Sequence, residues 1–132
     1  AKAGLDVIPD YIQQSEFTFD GGYTAAKLLM ALPNPPTAIY ASSDEAAQGV
    51  LFAAQELGLM IPGQLSICGH DDLLSASRTW PGLTTIHQSV EDLLEQALRL
   101  LIDVLKGNPL PEIPVVLSPK LVVRGSTGRL IQ

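Results

Sequence analysis

The sequence predicts an α/β fold in which a mostly parallel sheet is flanked by helices. Apolar residues recur with strand-like alternation in short runs and with helix-like spacing in longer runs, and the two kinds of segment follow each other along the chain. Strands that are separated by single helices cannot pair as hairpins, so the pairs that they form are parallel. The composition, with 46% apolar and 17% charged residues over 132 positions, is sufficient for one domain with a buried core.

The first helix is predicted over Gly21–Leu32. Asp20 stands at the position of an N-cap, and Pro33 follows the last helical residue, where a proline ends a helix. A short apolar run that contains β-branched residues comes next and predicts a strand over Pro36–Ala41. The polar residues directly after this strand mark the start of the next helix.

A second helix is predicted from Asp44 to Leu57, and Gly58 ends it. Ser42 and Glu45 have the spacing of a capping box, in which each side chain binds the backbone N–H of the other residue. The apolar residues of this helix form one stripe, which is typical of a helix that packs on a core: Ala46, Ala47, Val50, Leu51, Ala54 and Leu57.

Two strands and a long helix follow. The strands are predicted over Leu65–Gly69 and Leu83–His87, and the helix over Val90–Lys106, with Ser89 as its cap and Gly107 as its terminator. This helix also carries an apolar stripe, which consists of Val90, Leu93, Leu94, Ala97, Leu101, Val104 and Leu105.

The end of the chain is expected to be extended. The segment Ile113–Val123 predicts two extended pieces broken by Pro119, since proline cannot donate a hydrogen bond to a central sheet ladder. The chain begins with a pattern typical of the tail of a helix that is closed by Gly4. We therefore expect this sequence to be a fragment of a longer protein.

Charge and cysteine content argue against several classes of function. The net charge of −6 would repel a phosphate backbone, so we expect no nucleic-acid binding through the surface of this segment. No run is long and apolar enough to span a bilayer, and the start lacks the features of a signal peptide. Cys68 is the only cysteine, so it cannot form an internal disulfide. A buried thiol in a cytoplasmic protein is the simpler interpretation, and a reactive thiol is the alternative.

Two small-residue turns, each directly after a predicted buried strand, form the candidate ligand site. They are Ala41–Asp44 and Gly69–Asp72, and both carry hydroxyls or carboxylates. In open parallel sheets, ligands bind in the crevice at the carboxyl ends of the strands. Carboxylates accept paired hydroxyl donors well, so a sugar or polyol is a sensible ligand. On the residues alone, a purely structural role as a helix or turn cap is an equal alternative for either turn.

Ordered motifs along nearly the whole chain resemble the lactose-repressor family, the LacI/GalR type of transcriptional regulator. The segments that carry the resemblance are Pro36–Gly49, Glu56–Pro62, Leu65–Asp72, Pro81–Gln88 and Leu121–Thr127. Their common order and spacing make the signal specific. The resemblance implies an effector-binding core, with a DNA-binding helix-turn-helix and a hinge that are missing from this sequence.

The resemblance also implies an architecture. It implies an incomplete Rossmann-like lobe, similar to a lobe of the periplasmic sugar-binding proteins. Residues 1–87 and 114–132 would belong to the lobe farther from DNA, and residues 88–113 would be a crossover segment of the DNA-proximal lobe. In a fragment, the helix from Val90 would lack its native neighbours, so its exposed apolar stripe predicts either repacking or self-association.

The resemblance implies four effector-binding residues. Asp71 matches the position that accepts hydrogen bonds from ligand hydroxyls, with a loop-stabilising acceptor as the alternative. Ser43 stands where many family members have asparagine, so a shorter hydroxyl replaces an amide. Phe17 matches an aromatic position that lines the pocket, where it could stack on a sugar or simply belong to the core. Gln88 matches a crossover position that reaches the effector.

Other polar residues at these turns are expected to be structural. Asp72 is expected to cap the following short turn, and Asp44 to serve the N-terminus of its helix. His70 replaces the usual phenylalanine or tyrosine, which favours a buried, hydrogen-bonded histidine over a catalyst or a metal ligand. His87 lies far along the chain and no metal-binding spacing is present, so we expect no metal, no cofactor and no catalytic residue.

The mechanism that the resemblance implies is regulation by differential binding. A small-molecule effector between the lobes would favour one lobe arrangement and so change the affinity for operator DNA, which only the missing N-terminal domain would bind. The resemblance further implies a homodimer, and no membrane partner is expected. Trp80 would be an interface anchor or a locally packed indole. The residues that match the dimer interface are Gln48, Leu51, Phe52, Arg78, Thr79 and Trp80.

Two other functions compete with this interpretation. A periplasmic-type sugar-binding protein would share the fold without a DNA function, but the segment Leu83–Thr85 together with Arg124–Thr127 favours the regulator. An α/β enzyme could use Asp71 and Asp72 as acid and base. No nucleophile elbow, phosphate loop or metal set accompanies these carboxylates, so the sequence predicts a binding protein rather than an enzyme.

Overall fold

The computed structural model describes residues 8–131, and all statements on structure refer to this range. Within it, three α-helices alternate with strands of a four-stranded sheet, and two short 3₁₀ turns occupy Pro9–Tyr11 and Leu74–Arg78. In chain order the elements are α1 (Phe19–Met30), β1 (Ala38–Tyr40), α2 (Asp44–Glu56), β2 (Ser66–Asp71), β3 (Thr84–His87), α3 (Val90–Leu105) and β4 (Lys120–Val122).

The sheet has the strand order β1-β2-β3-β4, with two parallel pairs and one antiparallel pair. The predicted α/β fold with a mostly parallel sheet is therefore confirmed. β4 is the last strand in this order and therefore an edge strand; it runs antiparallel to β3 and follows directly after Pro119. The expectation of two extended pieces is only half realised in the sheet, because the residues before Pro119 pair with no strand.

Helices α1 and α2 pack closely on each other beside one face of the sheet. A Cβ atom at Gly22 would collide with the backbone of Ala46, and one at Gly49 would collide with the backbone of Phe19. The two helices therefore approach backbone to backbone, which only glycine permits at these crossing points. The most deeply buried apolar side chains lie below this helix pair, among them Leu65, Ile67 and Leu83.

Two of the predicted helix caps are wrong by one or two residues. Thr18, not Asp20, caps α1, because its hydroxyl accepts a 3.1 Å hydrogen bond from the backbone N–H three residues on. Ser43, not Ser42, caps α2 with the same geometry at 3.1 Å. The cap is the residue directly before the first one with helical dihedrals. Helix α1 begins at Phe19, two residues earlier than predicted, whereas α2 begins at Asp44 as predicted, so that its cap is Ser43. Ser89 caps α3 as predicted.

Helix α3 has no buried residue in the described part of the chain. It ends at Gly107, whose φ of 84° is suited to a terminating glycine. The predicted exposure of its apolar stripe is confirmed, since all of its members are exposed: Val90, Leu93, Leu94, Ala97, Leu101, Val104 and Leu105. The predicted repacking or self-association remains a prediction.

Candidate functional site

The candidate site lies at the edge of the sheet where three parallel strands end. The turn after β1 carries Ser42 and Ser43, β2 ends in Asp71, and Gln88 follows β3. Asp71 pairs in register with His87, so the ends of β2 and β3 lie side by side. This edge is where ligands bind in open α/β sheets, because the loops there bring polar groups from several strands together.

Asp44 is a buried structural acceptor that joins two loops of this edge. It is 0% exposed, and its Oδ2 accepts a 2.7 Å hydrogen bond from the backbone N–H of Leu73. Its Oδ1 accepts a 2.5 Å hydrogen bond from the hydroxyl of Thr85. A Cβ atom at Gly69 would collide with this carboxylate. Asp44 is the first residue of α2, but both carboxylate oxygens act across the fold, which corrects the expectation that it serves only the helix N-terminus.

Asp72 does not cap the turn that follows it, so that expectation is wrong. The 3₁₀ turn Leu74–Arg78 has no side-chain cap. Oδ1 of Asp72 instead accepts a 2.6 Å hydrogen bond from Nη2 of Arg124, and Oδ2 lies 3.1 Å from Nδ1 of His87. Arg124 also donates from Nη1 to the carbonyl of Leu83 at 2.8 Å. A carboxylate between two basic side chains gains more from them than from a turn N–H.

Asp71 is the exposed carboxylate of this edge. Its backbone has a φ of 106° and Asp72 has a φ of 57°, a region that residues with a Cβ rarely adopt. Such conformations cost about 1–3 kcal/mol and persist where the surroundings hold them. Two contacts provide that hold: Arg124 binds the side chain of Asp72 itself, and Asp44 binds the backbone N–H of Leu73, the residue directly after the strained pair. Among residues 8–131, none donates a hydrogen bond to the Asp71 side chain, so both its oxygens are free acceptors.

The other three predicted effector residues lie at different places in the structure. Ser43 is 7% exposed, and its hydroxyl is engaged as the cap of α2. Gln88 is exposed and lines a cavity at the ends of β2 and β3. Phe17 is 67% exposed, lies just before α1 and lines neither this cavity nor the one beside β1. The structure thus brings Asp71 and Gln88 to neighbouring strand ends, while the roles of all four residues stay predictions.

The cavity that Gln88 lines has a volume of about 780 Å³. Its walls are the ends of β2 and β3, the first turn of α3 and the segment 115–120. This volume is in the range of small-molecule sites, which typically combine apolar walls with a few polar groups. The polar groups are His70, His87, Gln88, Ser89, Asp92, Ser118 and Lys120.

His70 is hydrogen-bonded, as the sequence predicts, but it is only half-buried. The hydroxyl of Tyr40 lies 2.6 Å from Nδ1 of His70, and the two rings meet edge to face with centroids 6.2 Å apart. The other ring nitrogen contacts the side-chain amide of Gln88. Burial raises the pKa of the Tyr40 hydroxyl, and the neighbouring Cys68 and Asp71 add to the shift, so the phenol stays protonated at neutral pH.

Cys68 is a half-buried thiol on β2. Burial raises the pKa of this thiol, and the negative charge of Asp44 raises it further. A raised pKa disfavours the thiolate, which is the reactive form. The geometry therefore favours an inert structural thiol over the reactive alternative.

The residues expected at a dimer interface lie on α2 and on the loop beside it, and all but one are at least partly exposed. Gln48 donates a 2.9 Å hydrogen bond to Ser75, and Gln55 donates a 2.7 Å hydrogen bond to the carbonyl of Trp80, so α2 is tied to the loop beside it. The indole of Trp80 is 87% exposed, which contradicts the locally packed alternative. Phe52 is also exposed.

Leu51 is the exception, because it is only 5% exposed and belongs to the core. Its inclusion among the surface residues of an interface is wrong. It lies on the side of α2 that faces the interior, whereas its neighbour Phe52 points outward. Thr79 is half-buried and donates hydrogen bonds within its own loop, while Arg78 is exposed.

Two further types of site are not seen in the described part of the chain. Between residues 8 and 131, no group of three or more histidine, cysteine, aspartate and glutamate side chains is placed to hold a metal ion. Over the same range, no helix combines the length and apolar character required to cross a membrane.

Comparison with known proteins identifies the family. A family model described as a periplasmic binding protein-like domain matches residues 1–127. The chain belongs to this family. Its sequence is 37% identical to the HTH-type transcriptional repressor CytR of Escherichia coli over 129 residues, which cover 98% of this chain and 38% of the repressor. The chain thus spans about two fifths of the length of such curated relatives.

Solved structures place this periplasmic binding protein-like domain among LacI-type regulators. A regulatory protein of the LacI family from Chloroflexus aggregans matches with a TM-score of 0.87 and 32% identity, over 96% of this chain and 46% of that one. The transcriptional regulator CelR in complex with cellobiose matches with a TM-score of 0.86 and 28% identity, over 95% and 38%. The resemblance to a LacI/GalR-type effector-binding core is therefore confirmed, as is the periplasmic-binding-protein-like fold.

Proposed function

We propose that this chain is the ligand-sensing core of a bacterial sugar-responsive transcriptional regulator, acting as a repressor in the cytoplasm. The observation that carries the proposal is the free carboxylate of Asp71 at the carboxyl edge of the sheet. Its two oxygens are available to ligand donors, whereas those of Asp44 and Asp72 are occupied within the protein. A carboxylate that is free to accept at a ligand-binding edge suits a molecule with several hydroxyls.

The other predicted residues would complete the effector site. Gln88 would reach the effector from the cavity at the ends of β2 and β3. The Ser43 hydroxyl accepts a hydrogen bond from α2 and keeps its own proton, which it could donate to a ligand. Phe17 would stack on the ring face of a sugar, and its exposure leaves its ring available for that contact.

The proposal includes a division of the chain between two lobes. Residues 1–87 and 114–132 would form the lobe that holds Asp71, and residues 88–113 would cross into the DNA-proximal lobe. The absence of buried residues in α3, among those that the structure describes, supports this division, because such an amphipathic helix needs a further surface to pack on. The return of the chain as β4 beside β3 supports the second boundary.

Regulation would follow from the difference in effector affinity between two lobe arrangements. An effector that binds one arrangement more tightly shifts the population toward it, and this changes operator affinity by linkage. A homodimer would form through the surface that carries Phe52 and Trp80. Because this chain has a net charge of −6, DNA contacts would come from a helix-turn-helix elsewhere in the regulator.

The sugar proposal draws support from the cellobiose that is bound to the regulator CelR, a structural neighbour at 28% identity. An enzymatic role has less support. Asp71 is free, whereas the carboxylate of Asp72 is engaged by Arg124 and His87, so the adjacent carboxylates have no shared reacting position. We therefore propose binding without chemistry.

Calorimetric titration of the protein with cellobiose, pentoses, hexoses, sugar phosphates and nucleobases tests the function. We expect one saturable ligand whose affinity falls roughly 10-fold or more in Asp71→Asn, since hydrogen bonds to a charged group contribute about 1.5–3 kcal/mol. Asp10→Asn, which removes the same charge from an exposed site before α1, is the matched control and should bind as the parent does. A ligand that binds equally well after Asp71→Asn contradicts the assigned site, and a folded protein that binds none of the panel contradicts a sugar effector.

A further inference from the structure

His87 is held in place by the ion pair between Asp72 and Arg124. Its Nδ1 atom lies 3.1 Å from Oδ2 of Asp72, and Oδ1 of the same carboxylate accepts a 2.6 Å hydrogen bond from Nη2 of Arg124. Arg124 is fixed in turn, because Nη1 donates to the carbonyl of Leu83 at 2.8 Å and its backbone N–H donates to the hydroxyl of Thr84 at 2.9 Å. These contacts determine how the imidazole ring of His87 is oriented.

The chemistry of Asp72 determines which ring nitrogen of His87 carries the proton. A carboxylate that is paired with a guanidinium can only accept hydrogen bonds, so Nδ1 of His87 must be the donor. In the neutral imidazole, the other nitrogen, Nε2, then has no proton and is an acceptor. The two nitrogens point in different directions from the ring, so Nε2 faces away from Asp72. Within residues 8–131, no side chain or backbone group donates a hydrogen bond to Nε2.

This free nitrogen belongs to a side chain that lines the cavity of about 780 Å³ at the ends of β2 and β3. The side chain of His87 is 40% exposed, so a molecule in the cavity can reach it. Asp71, the free carboxylate, pairs in register with His87 on the neighbouring strand, and the backbones of paired strands lie about 4.8 Å apart. Asp71 does not line the cavity, so the two residues would bind different parts of one ligand.

We propose that His87 is a further effector-binding residue, whose Nε2 atom accepts a hydrogen bond from one ligand hydroxyl while Asp71 accepts from another. This inference rests on the proposed function in one respect, the binding of a sugar at this edge of the sheet. Acceptors on two neighbouring strands select a ligand with several hydroxyl donors. Asp72 and Arg124 are positioning residues, since they keep the proton on Nδ1 and so leave Nε2 free to accept.

A purely structural role for His87, through its contact with Asp72, is the alternative. Two substitutions separate the roles, because they replace different nitrogens of the ring. In His87→Asn, the short side chain places its NH₂ group near the position of Nδ1, so it can still donate to Asp72 but offers no acceptor at the position of Nε2. In His87→Gln, the longer side chain reaches the position of Nε2, where its amide oxygen can accept from a ligand hydroxyl.

Calorimetric titration with cellobiose, hexoses and pentoses tests the inference at pH about 8, above the range in which histidine changes charge. We expect the sugar that saturates the parent to bind roughly 3- to 10-fold more weakly to His87→Asn, the loss of one hydrogen bond between uncharged groups. Binding should recover at least in part in His87→Gln. Urea unfolding should give the same midpoint for His87→Asn and the parent, which excludes a folding defect as the cause.

Equal affinity of the parent and His87→Asn would overturn the inference. So would the reverse order, in which His87→Asn binds better than His87→Gln, because the contact with Asp72 would then be what matters. If none of these sugars binds the parent, the proposed function fails and the inference fails with it. Weakened binding in Asp71→Asn together with unchanged binding in His87→Asn would overturn only the role of His87.

Nuclear magnetic resonance without any ligand tests the positioning by Asp72. Long-range ¹⁵N–¹H spectra at the same pH report the tautomer of His87, and the signals missing from His87→Asn identify its ring. We expect the proton on Nδ1 in the parent and a larger fraction on Nε2 in Asp72→Asn, whose NH₂ group can donate to the ring. Asp10→Asn is the control and should keep the parent's tautomer. A parent ring with its proton on Nε2 would overturn the inference, whether or not a sugar binds.

Discussion

The guanidinium of Arg124 donates a 2.6 Å hydrogen bond to the carboxylate of Asp72, across 52 positions of sequence. This contact ties the segment after β4 to the strained loop at the end of β2, whose φ values of 106° and 57° need external support. Asp44 holds the same loop from the other side through Leu73. The exposed Asp71 is therefore set in place by its neighbours, and two predictions concern these supports.

Replacement of Arg124 by methionine should destabilise the protein by about 2 kcal/mol, because the hydrogen bonds of a largely buried charged group are lost. The side chains of Arg124 and Asp72 are only 22% and 17% exposed, so water does not fully replace the contact. Urea unfolding measures the change. Arg129→Met, at an exposed position near the C-terminus, is the matched control and should be neutral. Equal stability of the two variants would show that the Arg124 contact does not support the loop.

Asp44→Asn should destabilise the protein by about 2–3 kcal/mol, since an NH₂ group then faces a donor in a fully buried site. Either the N–H of Leu73 or the hydroxyl of Thr85 loses its acceptor. The adjacent Glu45→Gln, on the exposed side of the first turn of α2, is the control. Denaturant unfolding of both variants checks the prediction, and a drop in stability of the control as large as that of Asp44→Asn would contradict it.

Local patterns in the sequence predicted the helices and strands better than they predicted the residues that cap the helices. The helix α2, the strand β3 and the cap Ser89 follow from apolar spacing and from side-chain types that lie within a few residues of each other. In both wrong cap predictions, the polar residue that was chosen lies within two positions of the true cap: Asp20 was chosen instead of Thr18, and Ser42 instead of Ser43. Spacing alone could not choose between such neighbours, because the choice depends on where helical dihedrals begin.

The site was predicted in outline, and its supports were missed. The turns at the carboxyl edge follow from the alternation of strands and helices. The bonds from Asp44 to Thr85 and from Asp72 to Arg124 join residues that are 41 and 52 positions apart, and no local spacing encodes them. The one available signal for His70 was the period of two along β2, which places it on the same face as Cys68 and hence beside β1.

Two leucines of different burial test the description of α3 as an unpacked helix. Leu98 in α3 is 57% exposed, whereas Leu65 before β2 is 0% exposed. Leu65→Ala should cost about 2–5 kcal/mol through lost burial and a cavity. Leu98→Ala should change the free energy of unfolding by less than about 0.5 kcal/mol, because the side chain buries little and alanine favours helix. A loss above about 1.5 kcal/mol for Leu98→Ala, measured at low protein concentration, would mean that α3 is packed in the folded monomer.

Stability at acid pH should depend on a contact between α1 and α2. The Tyr23 hydroxyl donates a 2.5 Å hydrogen bond to Oε2 of Glu56, and Nζ of Lys27 lies 3.5 Å from the same oxygen. These groups lower the pKa of Glu56, the hydrogen bond from Tyr23 being the larger cause. A carboxylate whose pKa is lower in the folded state contributes stability above its unfolded pKa and loses it as the pH falls through the folded pKa.

Denaturant unfolding should therefore be measured for the parent and for Glu56→Gln at pH 7 and at lower pH. As the pH falls below about 4.3, the ordinary pKa of glutamate, the free energy of unfolding should decrease less in Glu56→Gln than in the parent. The amide cannot titrate, so the part of the acid loss that belongs to Glu56 disappears. The contact is solvent-exposed, so the difference should be small and should shrink further at high salt, which screens Lys27. Glu112→Gln, which removes a carboxylate from an exposed segment after α3, should keep the parent's acid profile. Identical profiles for Glu56→Gln and the parent would mean that the carboxylate gains nothing from Tyr23 in the folded protein.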